Sequence, residues 1–75
     1  MKTIINFKIS KGEKYFVAEC FDLPIVTQGL TLDETVANIK EALALHLDGE
    51  DLNELNISNN FSISINIDVG ELEYA

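Results

Sequence analysis

The 75-residue chain has room for one domain with a thin core, and its 47% apolar content excludes a fully disordered chain. Thirteen acidic residues face five lysines and no arginine, and a net charge of -8 argues against direct nucleic-acid binding, which needs clustered Lys and Arg to neutralise phosphates. No apolar run approaches the ~20 residues of a membrane span, no basic segment leads into an apolar stretch as in a signal peptide, and a lone cysteine cannot form an internal disulfide, so a cytoplasmic protein is expected.

Thr3 to Ser10 alternates, with Ile5, Phe7 and Ile9 on one side and Asn6, Lys8 and Ser10 on the other. That is the pattern of a half-buried strand, and only Ile4 breaks it. Lys11-Gly12 is a turn signal, and Tyr15 to Phe21 reads as the second strand of a hairpin. A two-residue loop sets Phe7 opposite Phe16, whereas a four-residue loop sets Phe7 opposite Ala18. Both share one parity, which gathers Phe16, Ala18 and Cys20 with Ile5, Phe7 and Ile9 on the core face. The other face then holds Tyr15, Val17, Phe21 and Ile4 among Asn6, Lys8 and Glu19, more apolar than plain solvent exposure calls for.

Pro24 fixes its own φ and holds Leu23 extended, so the second strand ends near Phe21. Ile25 to Gln28 is a short third strand, and Gly29 offers a backbone freedom that a β-carbon would penalise. Thr31 and Glu34 have capping-box spacing, with the hydroxyl and the carboxylate each taking one orphan N–H. The helix predicted from about Leu32 to Asp48 carries Leu32, Val36, Ile39, Leu43 and Leu47 as one stripe. Asp33, Glu34 and Glu41 lie on its outer face with Leu45, the first two complement the positive helix start, and Gly49 is the expected stop. Glu50 to Asn60 reads as a polar loop with one helical turn at Asp51 to Leu55. Phe61 to Val69 is a cleanly alternating strand, followed by a tail from Glu71.

The order β-β-β-α-β describes an α+β domain over residues 1–75: a four-stranded mixed sheet, order 3-2-1-4, strand four parallel to strand one, with one helix on one face. A helix is ~10 Å across, whereas four strands at ~4.8 Å spacing make a sheet near 19 Å wide. One helix cannot cover even its own face. The shortage of cover, with Tyr15, Val17 and Phe21 on the open side, points to a homodimer or higher oligomer, or to a partner.

Tyr15-Phe16-Val17-Ala18-Glu19, Asp22-Leu23-Pro24, Thr27 to Glu34, and Ala37-Asn38-Ile39-Lys40-Glu41-Ala42-Leu43 together resemble the HicB-like antitoxins. The resemblance covers Lys2 to Asp48, and the element order carries it to Val69. It implies a degenerate, partial ribonuclease H-like fold that neutralises a small basic RNA-cleaving toxin. Ile25-Val26 stands where the family usually has Gly-Cys. Many members add a C-terminal DNA-binding segment. With the sequence ending at Ala75, operator binding is not carried over.

No catalytic, metal or cofactor site is expected. Metal-dependent nuclease chemistry needs converging carboxylates, but strand one offers Asn6 and Lys8, and strand four only Asp68 near its end. Asp48-Gly49-Glu50-Asp51 lacks the order of a calcium loop and reads as a solvated acidic segment. Cys20 reads as a small core residue rather than a nucleophile, and His46 as a cation favoured near the helix end. The expected function is protein binding: Tyr15, Val17 and Phe21 as apolar anchors, and Glu19, Asp22, Asp33 and Glu34 as charge facing a basic ribonuclease toxin. The alternative is a homo-oligomeric structural protein of the same fold with no toxin partner.

Overall fold

The computed structural model describes residues 1–74. Its elements are β1 (Lys2–Lys11), β2 (Phe16–Cys20), β3 (Val26–Gly29), α1 (Leu32–Leu47) and β4 (Ile57–Asp68). They form one four-stranded sheet in the order β3-β2-β1-β4. β1 and β2 are antiparallel, as are β2 and β3, while β4 runs parallel to β1. The α+β class, the strand order and the single helix are those the sequence predicts.

The hairpin keeps the expected parity but not either expected register. Phe7 pairs with Cys20, Ile9 with Ala18 and Lys11 with Phe16. β1 runs on to Lys11, so the turn is pushed beyond it, and the Gly12 N–H donates to the Tyr15 carbonyl at 2.8 Å. Tyr15 therefore belongs to the connection and not to β2. Shifting by two residues leaves every side chain on its predicted face, because strand side chains repeat every two residues. Ile5, Phe7, Ile9 and Ala18 are fully buried, with Phe16 and Cys20 packed against them.

Helix α1 lies over β2 and β3. It buries Thr35, Ile39 and Leu43, while Leu32 at its start stays exposed. The Thr31 hydroxyl accepts from the Glu34 N–H at 3.0 Å. This is the hydroxyl half of the expected capping box. Gly49 follows the helix with φ 76, the left-handed conformation in which glycine is least penalised.

Thr35 was not part of the predicted stripe. Its hydroxyl donates to the Thr31 carbonyl at 2.7 Å, which satisfies the one polar group the burial would otherwise orphan. Gly29 sits directly beneath it. A β-carbon at position 29 would meet the Thr35 Oγ1 at 2.5 Å and the Thr35 backbone N at 2.7 Å. The glycine is required by close approach of strand and helix. Among positive-φ glycines only Gly49 and Gly70 appear, so the dihedral reason expected for Gly29 does not apply.

β4 begins four residues before the predicted Phe61. A turn brings the Leu55 N–H toward the Asp51 carbonyl at 3.3 Å, and Asn56 then takes φ 59. Leu52 and Leu55 pack on the core, and Ile57 is buried beside them. The Lys2 N–H donates to the Asn56 carbonyl at 2.8 Å, tying the start of β1 to this crossover. Ile57 pairs with Lys2, whereas Ser62 pairs with Ile4, so the two strands advance unequally there before a regular ladder runs to Ser10 and Asp68.

Candidate protein-docking site

Alternation along β2 places Val17 and Glu19 on the sheet face opposite α1, since Ala18 between them is buried beneath the helix. Their neighbours across β3 are Gln28 and Val26, and across β1 Ser10 and Lys8. Val26 is 69% exposed, and Phe21, just past the end of β2, is 64% exposed. Val17 and Tyr15 are half-buried. Phe21, Val26 and Val17 thus make an apolar patch on an open sheet face. Sequence periodicity alone does not single out Val26. The signal that finds it is its cross-strand pairing with Glu19, which needs the register of β3 and cannot be read from the short strand alone.

Asp22 has an internal task. β2 pairs with β1 as far as Cys20, and the Phe21 N–H still donates to the Asn6 carbonyl at 2.8 Å. The chain then turns away through Leu23 and Pro24, where the Ile25 N–H donates to the Leu23 carbonyl at 2.8 Å. The Asn6 N–H is left facing no strand carbonyl. Asp22 Oδ2 accepts from it at 2.8 Å, and Asp22 Oδ1 lies 3.1 Å from Lys2 Nζ. The hydrogen bond from the Asn6 N–H, helped by Lys2, holds the Asp22 carboxyl below its ordinary value against the opposing cost of burial. With a side chain only 12% exposed, this carboxylate braces the sheet end.

The remaining candidates do not converge on one face. Glu19 is exposed on the open face, with Lys8 as its cross-strand neighbour. Asp33 and Glu34 are exposed in the first turn of α1, on the far side of the sheet from Val17 and Glu19. The two groups are separated by edge strand β3, whose Gln28 carbonyl accepts from Asn38 Nδ2 at 2.7 Å. A partner contacting both groups has to straddle that edge. Beyond α1 the acid continues at Asp48, Glu50, Asp51 and Glu54, all exposed, while four of the five lysines sit at Lys2, Lys8, Lys11 and Lys14 on β1 and the hairpin turn.

Cys20 is a half-buried free thiol packed on the core, and His46 lies in the last turn of α1. Among the described residues, no group of three or more His, Cys, Asp or Glu side chains is placed to hold a metal ion. Among the described residues, no helix is long and apolar enough to cross a membrane. A cleft of about 290 Å³ opens on the helix side, lined by Phe16 and Leu32 on one flank and by Ile67 and Val69 on the other. It marks where α1 stops short of β4. Comparison of the chain with protein-family models, with curated proteins and with solved structures finds no match.

Proposed function

We propose that this chain is an antitoxin-like binding module that neutralises a small basic RNA-cleaving toxin by covering its active site, without catalysis of its own. The observation that carries the reading is the open sheet face, where Phe21 and Val26 stand exposed within the segment that resembles the HicB-like antitoxins. Exposed aromatic and aliphatic side chains on an uncovered face are the raw material of a binding anchor. Tyr15, Val17 and Phe21 supply that anchor, and Val26 extends it. Glu19, Asp33 and Glu34 supply charge around the β3 edge, and the net charge of -8 attracts a basic partner. Asp22 holds the turn that presents Phe21. The four-stranded sheet with its single helix is read as a partial ribonuclease H-like fold, and the cytoplasm as the compartment.

The test is RNA cleavage by a short basic candidate toxin, with and without this chain. Cleavage should stop at stoichiometric addition, and a complex should form at low salt. Unchanged cleavage at excess, with no complex at low salt, removes the antitoxin reading. The second reading, a homo-oligomeric structural protein of the same fold, is favoured by the uncovered edge strand β4.

A further inference from the structure

We propose that β4 is a self-association edge: two copies of the chain join through antiparallel β4–β4 pairing, making one continuous eight-stranded sheet centred on Ser64. Among the described residues, β4 has β1 on one side and no neighbour on the other. One row of its backbone N–H and C=O groups is therefore free to pair.

The two edges of the sheet differ in how they are protected. β3 spans Val26–Gly29 only, Pro24 precedes it, and Asn38 occupies its Gln28 carbonyl. β4 spans Ile57–Asp68, runs regularly against β1 from Ser62 to Asp68, and contains no proline, no lysine, and no charged residue before Asp68. Long, uncharged and proline-free is the profile that natural edges avoid unless something pairs with them.

Charge selects the occupant. Each chain carries -8, and its acids lie on β2 and the turns beside it, along α1, in the segment after α1 and from Asp68 onward, so most approaches between copies are repulsive. The β4 edge is the long neutral strip. The strand is also self-complementary about Ser64. Pairing Ser64 with Ser64 of a second copy sets Ser62 against Asn66 and Ile63 against Ile65, all within the regular part of the strand. The same parity keeps Ile63, Ile65 and Ile67 of both copies on the helix side. There Ile63 and Ile65 are only half-buried and Ile67 is 51% exposed, because α1 covers β2 and β3 instead. Pairing would cover the strand flank of each.

The proposal does not rest on the toxin-binding reading, since self-association is measured with this chain alone. Sedimentation at micromolar concentration should give twice the chain mass of 8.3 kDa. Ser64 is exposed, so Ser64→Lys leaves the monomer fold intact while setting two like charges directly opposite each other. It should yield the 8.3 kDa monomer with an unchanged circular dichroism spectrum. Phe21→Ala, on the open face, should remain dimeric. In a Cys20→Ser background, Ser64→Cys should form a disulfide-linked dimer under mild oxidation. A monomeric parent chain, or a dimer that Ser64→Lys leaves intact and Phe21→Ala dissociates, overturns the proposal.

Discussion

A methyl group at position 29 would have to displace backbone and not a flexible side-chain tip, since the Thr35 N and Cα lie within 3.0 Å of where it would sit. Gly29→Ala is expected to cost about 1–3 kcal/mol, the range of overpacking in a filled core. Urea denaturation measures it, and a loss below a few tenths would mean that strand and helix separate freely there. Asp22 makes a pH-dependent contribution. Its folded pKa lies below its unfolded value, so its stabilisation is fully present above the ordinary carboxylate range, near ~3.9, and is lost as pH falls through the lower folded value. Asp22→Asn keeps an acceptor for the Asn6 N–H but cannot titrate. Its stability should therefore fall less steeply than that of the parent below pH ~4. Parallel acid-denaturation profiles for the two proteins would refute this account.

Among the elements, α1 depends on its first turn. Thr31 adopts extended geometry at the cap, and its hydroxyl satisfies the Glu34 N–H. Thr31→Ala should cost about 1 kcal/mol, typical of losing a threonine cap, with the change read from chemical denaturation. A change of only a few tenths would place the working cap elsewhere. Thr35 complicates the same turn, because its own hydroxyl bonds the Thr31 carbonyl at 2.7 Å beneath the Gly29 contact. Cap, buried threonine and glycine thus act as one joint between β3 and α1. β4 is held differently, by a ladder to β1 alone, and its helix-side residues are covered only in part.

For the whole molecule, the exposed acids flank the apolar patch, Glu19 within it and Asp33 and Glu34 across the β3 edge, and this arrangement sets the kinetics expected of a complex. On the antitoxin reading proposed above, the exposed acids Glu19, Asp33 and Glu34 would steer encounter, and salt would screen them over ~10 Å at 0.1 M. Their joint replacement by neutral residues should slow association with a basic toxin more than it speeds dissociation. Phe21→Ala or Tyr15→Ala should do the reverse, because a desolvated aromatic anchor acts mainly on dissociation. Surface plasmon resonance across a salt series separates the two, and a dissociation rate untouched by both aromatic variants would count against the anchor. The same charge predicts no retention on duplex DNA at low ionic strength, and a salt-dependent shift with this chain alone would contradict it.

Element order, strand parity and the helix bounds within a residue were legible in the sequence, since each follows from a local period or a local cap. Phe7, Ile9, Ala18, Ile39 and Leu43 could be assigned to the core because side chains repeat every two residues in strands and every 3.6 in helices. The hairpin register was not legible, because several loop lengths share one parity. The early start of β4 at Ile57 was hidden by Asn59-Asn60, which read as turn formers and fall in the irregular stretch between the Lys2–Ile57 and Ile4–Ser62 pairs. Of the candidate site, exposure of Phe21 and Glu19 could be anticipated from alternation. The diversion of Asp22 to the Asn6 N–H, the adjacency of Val26 to Glu19 and the placement of Asp33 and Glu34 across the β3 edge were decided only in three dimensions. Periodicity fixes which side of its own element a residue occupies. Which elements meet, and at what offset, depends on contacts between residues far apart in the chain, as between Gly29 and Thr35 or Lys2 and Asp22.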